Sequence, residues 1–166
     1  MGRASAATAF LVLGLSYFSQ PAFAGCSDAP APGINWQRCY LEERDLSGTA
    51  LAGANLREAR FNRTNLSGAD LSGADARRAK FLSSRLGGAN LEKLVASEAD
   101  FTSADLAGAR LGGADLRRAR FFGAKLAGAD LEAARLDGAD FLNADLAGAT
   151  WTDGRICAPG SLGQCR

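Results

Sequence analysis

Among its 166 residues the sequence has no histidine, which removes the commonest general base and the commonest metal ligand together. It also lacks a G-x-S-x-G elbow, a phosphate loop and any Cys/His cluster with metal-ligand spacing. No catalytic, cofactor-binding or metal-binding residue is therefore assigned; no cofactor is expected, and the chain reads as a non-enzyme. Charge of one sign is missing too: 19 basic residues face 18 acidic ones. Beyond residue 24 no apolar run is long enough to cross a bilayer. Cysteine is confined to four residues, all near the two ends of the chain.

What is present is periodic. Large apolar residues recur every five positions from Leu41 to Ile156, and the beat fails only at Ala76 and Ala96. Phe61, Phe81, Phe101, Phe121 and Phe141 add a period of 20. A helix turns about 100° per residue, so a spacing of five scatters these residues over all its faces. A flat strand alternates, so an odd spacing sends them to opposite faces. A chain that turns a corner in every repeat can aim each of them inward. If like residues stack, a 20-residue interval means four five-residue sides per coil.

The columns then read clearly. The first is Leu41 followed by the five phenylalanines. The second, from Leu46 to Leu146, is leucine throughout. The third ends in Trp151, and the fourth holds Leu56, Ala76, Ala96, Leu116, Leu136 and Ile156. Alanine precedes the centre by two places, as at Ala54 and Ala104, where only a small side chain fits beside a filled column. Glycine often follows by two, as at Gly48 and Gly108, where it relieves a corner. Asp or Asn frequently stands just before the centre, as at Asp70 and Asp105, and such side chains bond local backbone in turns. At Leu94-Val95-Ala96 the order is reversed, so Leu94 is expected to fill the space left by Ala76 and Ala96.

The A-[D/N]-L-x-x beat of Ala69-Asp70-Leu71-Ser72-Gly73 and Ala104-Asp105-Leu106-Ala107-Gly108 resembles the pentapeptide-repeat family over about residues 39–156. The resemblance implies an all-β fold, a right-handed quadrilateral β-helix, here of about six coils. With strand-like spacing of ~4.8 Å, such a prism is ~28 Å long. The family is known for its fold more than for one chemistry, and some of its members mimic DNA and engage type II topoisomerases.

The ends follow a different code. Residues 1–24 join Arg3 to an apolar run and the A-x-A site Ala22-Phe23-Ala24, a cleavable signal peptide. Removing them takes away Arg3 and no acid, leaving 18 basic against 18 acidic residues. The mature chain is expected to be exported, periplasmic or extracellular. Phe23-Ala24-Gly25-Cys26 also resembles a bacterial lipobox, which would anchor the protein through Cys26. The other reading of Cys26 is a disulfide. Two end-local bonds are expected, Cys26 with Cys39 and Cys157 with Cys165, because the prism is too long for bonds between its ends. Residues 25–38 and 157–166 read as caps on a solenoid over 39–156, with Trp36 placed to cover the first coil.

Two outward features stand apart from the repeat. Arg77, Arg78 and Lys80 share one long edge with Arg117, Arg118 and Arg120, two coils away; Arg57, Glu58 and Arg60 join them, Glu98 and Asp100 lie between, and Asp137 and Asp140 lie beyond. This is either a charge ladder or a site for an anionic partner. Leu82, Phe122 and Leu142 share a column that should point outward, as ordinary surface or as a contact with a partner protein. The function expected is an interaction surface or cell-envelope scaffold. The alternatives are a gyrase-directed DNA mimic, disfavoured by the balanced charge and the export signal, and a lipid-anchored envelope protein. Nucleic acid is not an expected partner, no transmembrane segment remains after cleavage, and the sequence does not decide between monomer and dimer.

Overall fold

The computed structural model describes residues 25–166; the expected signal peptide, residues 1–24, lies outside the described residues. Its body is a four-sided coil with a strict register. Twenty parallel bridges link residues 20 apart, from Asn35 with Asn55 to Asp130 with Thr150, giving nearly six coils. The sides are not extended strands. Each contributes a single bridge residue, because a four-residue turn consumes the rest of the repeat.

One repeat shows why five residues suffice. The amide of Asp70 donates to Thr49 O in the coil above (2.9 Å), and that of Leu71 to Asn90 O in the coil below (2.8 Å). Gly73 N also reaches down, to Glu92 O (2.9 Å), while Ala74 N closes the turn on Leu71 O (3.1 Å). One amide is left, that of Ser72, and Asp70 Oδ1 accepts it at 3.0 Å. Every backbone donor of the repeat is satisfied, as buried or crowded backbone requires. Asp or Asn is favoured before the centre because it supplies the missing acceptor.

The third residue of each turn has positive φ, the signature of a type II turn. Glycine takes many of these places, yet Arg38, Glu58, Arg78, Glu98, Arg118 and Ala133 are among twelve non-glycine residues held at φ between 53° and 61°. Each costs about 1–2 kcal/mol, so the stack overrules local preference.

The core is the set of inward columns. Phe61, Phe81, Phe101 and Phe121 are wholly buried, and the rings from Phe61 to Phe141 stack with centroids 4.8–5.1 Å apart and planes within 4°. Leu94 is wholly buried beside the small Ala76 and Ala96. Trp36 is wholly buried as well, but as the first member of the fourth column, one coil above Leu56. The solenoid register thus begins at Asn35, before the expected boundary at 39.

The far end departs from the expected pattern. Ile156 does not occupy the fourth column; it is 63% exposed. After Trp151 the chain reverses, and Thr150 pairs with Ile156 and Asp145 with Leu162 in antiparallel fashion. The physical reason is that no further coil follows to accept the amides of Leu146 and Gly148. The returning strap supplies Ser161 O and Cys157 O instead, each at 2.9 Å. Cys26–Cys39 and Cys157–Cys165 are both bonded, with Cα atoms 5.4 and 4.9 Å apart.

Candidate functional site

The corner after the fourth column forms the charged edge. Its turn residues stack as two rows, one from Gln37 through Arg57, Arg77, Ser97 and Arg117 to Asp137, the other from Arg38 through Glu58, Arg78, Glu98 and Arg118 to Gly138. In the second row cation and acid alternate, and neighbouring coils pair: Arg38 Nε–Glu58 Oε2 and Arg78 Nε–Glu98 Oε2, both 3.0 Å. Arg118 ends the series with no carboxylate within 4.0 Å among the described residues, because the next place is Gly138.

In the first row, Arg77 and Arg117 bend back within their own repeats. Arg77 Nε meets Asp75 Oδ1 at 2.8 Å, and Arg117 Nε meets Asp115 Oδ1 at 2.8 Å. These hydrogen bonds and the adjacent positive charge hold both carboxyls below the usual aspartate range. Asp100 is also depressed: burial pushes it up, but Thr102 and Arg120 outweigh that, with Arg120 Nη2 at 2.6 Å. Lys80 lies in the same bridge row and has no carboxylate within 4.0 Å. Arg60 covers the ring of the exposed Tyr40, 4.8 Å from its centroid.

Two clefts open between these side chains. The larger, about 480 Å³, is lined by Ser97, Glu98, Arg117, Arg118, Arg135 and Asp137. The smaller, about 260 Å³, is lined by Arg57, Glu58, Arg77, Arg78, Ser97 and Glu98. Sharing Ser97 and Glu98, they meet end to end along the edge. Arg135 was not among the residues expected here. Its signal was its register, since it bridges Asp115 and so stands beside Arg117.

The structure places the apolar column unevenly. Phe122 and Leu142 are exposed, at 41% and 59%, whereas Leu82 is half-buried. Leu82 lies mid-stack between the rows of Asn62 and Thr102, while Leu142 borders the last coil. Leu162, on the strap beside Asp145, is exposed near the same end. Among the described residues, no group of His, Cys, Asp or Glu is arranged to hold a metal ion.

The aspartates of the repeat are committed locally. Asp45, Asp105, Asp130, Asp140 and Asp145 each accept an amide two residues on, at 2.9–3.1 Å. No two of them face one another as an acid–base pair would; they form turns.

Comparison with known proteins gives a consistent pattern. The family model for pentapeptide repeats matches residues 45–81, 83–118 and 114–150. Among solved structures, a pentapeptide repeat protein of the Arabidopsis thaliana thylakoid lumen is 25% identical, over 73% of this chain and 83% of that one, with a TM-score of 0.30. The pentapeptide repeat protein Rfr23 of the cyanobacterium Cyanothece 51142 is 27% identical, over 72% and 88%, with a TM-score of 0.25. QnrB1, a plasmid-mediated fluoroquinolone resistance protein, is 20% identical, over 78% and 83%, with a TM-score of 0.30. No curated protein matches the sequence.

Proposed function

Because the chain belongs to the pentapeptide-repeat family, we propose that it is a non-enzymatic, exported, right-handed quadrilateral solenoid whose outer faces serve as an interaction surface or envelope scaffold. The observation that carries this reading is the commitment of the repeat carboxylates to turn amides and guanidiniums. Groups held in such bonds build the rod and leave recognition to the residues projecting from it. Two disulfides fit an oxidising compartment and a chain led out by residues 1–24.

The same observations weigh against the alternatives. A nucleic-acid mimic needs a continuous row of free carboxylates, and here Asp75, Asp100 and Asp115 each meet an arginine. Lipid attachment needs the Cys26 thiol, which the bond to Cys39 consumes.

Expression of the full chain in a bacterium, followed by fractionation, amino-terminal sequencing and non-reducing mass mapping, tests the reading. The expected product is found outside the cytoplasm, starts at Gly25 and carries two end-local disulfides. A cytoplasmic chain retaining Met1, a lipid on Cys26, or inhibition of gyrase supercoiling by the purified mature protein overturns it.

A further inference from the structure

The charged edge carries a positive excess that the molecule as a whole does not. The four columns beginning at Asn35, Gln37, Arg38 and Tyr40 hold ten basic and seven acidic residues as far as Asp140, whereas residues 25–166 balance at eighteen of each. The excess is not spread evenly. Arg118 stands where the alternation of cation and acid breaks off, its stem 3.5 Å from where a Cβ on Gly138 would lie. Arg135 reaches the same cleft from the neighbouring bridge row. Neither has a carboxylate within 4.0 Å among the described residues, and neither do Arg57 and Lys80 further up the edge.

The lining says what kind of anion suits it. Only polar and charged residues line the two clefts, so the hydrocarbon a ligand can cover there is limited to the stems of those side chains. Free guanidiniums offer paired N–H donors that match a carboxylate. Glu58, Glu98 and Asp137, set among them, are acceptors, and Ser97 is both donor and acceptor. Those three acids repel phosphate and carboxylate alike, so a ligand that also offers them hydroxyl donors is favoured over a bare surface of headgroups or phosphates. A sugar chain bearing carboxylates needs both kinds of partner, cations for its acid groups and acceptors for its hydroxyls. The coil repeat of 4.8–5.1 Å is also close to the length of one pyranose unit. The two clefts centre on the coils of Arg78 and Arg118, two coils apart, so they would face alternate sugars of such a chain.

We propose that this edge binds a linear acidic polysaccharide, with Arg118 and Arg135 as the principal contacts for its carboxylates and Ser97, Glu98 and Asp137 for its hydroxyls. The inference rests on the reading of the protein as an exported interaction scaffold and names the partner of that scaffold.

The test uses the mature protein with both disulfides formed, polygalacturonate as the probe, dextran as the neutral control and phosphatidylglycerol vesicles as the competing anionic surface. Calorimetric titration is expected to show binding to polygalacturonate alone, weakening as salt shortens the range of the charges. Arg118→Glu/Arg135→Glu should weaken it at least about tenfold, and Lys125→Glu, away from this edge, should not. Arg118→Gln/Arg135→Gln gives the same reading should the double reversal disturb folding. Absence of binding, equal loss in Lys125→Glu, or vesicle binding that disappears in the same double variant overturns the proposal. A mature chain starting at Gly25 that ignores polygalacturonate rejects the polysaccharide and leaves the scaffold standing, whereas a cytoplasmic chain retaining Met1 rejects the scaffold.

Discussion

The inner coils and the last one are written in the same five-residue unit but are held in different ways. An inner coil is covered above and below by copies of itself: Phe81, Phe101 and Phe121 are wholly buried, each between parallel rings. The last coil has a copy on one side only. Phe141 keeps 8% exposure and meets Trp151 edge-on at 63°, and Leu136 and Trp151 are half-buried. A returning strap takes over where a seventh coil would have been, with antiparallel pairs in place of parallel ones. The first coil is different again. The segment before it is tied down by Cys26–Cys39 and by Arg44 Nη1 on Cys26 O (3.3 Å). The difference teaches that burial in this molecule belongs to the stack; a repeat alone does not have it.

The largest effect expected separates the middle from the end. Phe101→Ala opens a cavity between two rings and should cost about 3–5 kcal/mol, whereas Phe141→Ala, where the site is part open and relaxes, should cost about half as much. Urea unfolding of the two variants measures this, and equal losses would erase the distinction. A smaller effect concerns the two staples. Cys157→Ser/Cys165→Ser should cost about 2–3 kcal/mol. It should also raise hydrogen exchange at Leu146, Gly148 and Gly163, whose amides meet or belong to the strap. Removing Cys26–Cys39 should cost a similar amount and leave those three amides protected. The smallest effect has the opposite sign. Ala133 sits at φ 57° and has only a methyl to lose. Ala133→Gly should therefore stabilise by up to ~1 kcal/mol in thermal unfolding.

Which parts were legible in advance follows the same division. The phenylalanine column, the four sides and the 20-residue register could be read because each coil repeats the constraint of the one before. Ile156 misled because it keeps the beat after the constraint has gone: the spacing is right, but no coil lies below to demand burial. Trp36 was read as a lid and proves to be a core residue, since the beat extends one step earlier than the leucines announce it. At the charged edge, the residues sharing a row were foreseeable from spacing. Which carboxylate each arginine chooses was not: Arg77 and Arg117 turn back to their own repeat, while Arg38 and Arg78 reach the next coil. That choice depends on rotamers, and Arg118 has none to make because Gly138 stands twenty residues on.

The unbroken offset of 20 between bridged residues also sets how such a chain is able to change length over generations. Duplicating or deleting a whole lap leaves each ring above a ring and each turn above a turn. Losing a single pentad rotates everything downstream by a quarter lap, setting aromatic against aliphatic neighbours and carrying the arginine row off its corner. Lineages of this molecule should therefore differ by entire laps, and lone five-residue gaps should gather near the two termini, where nothing further along is displaced.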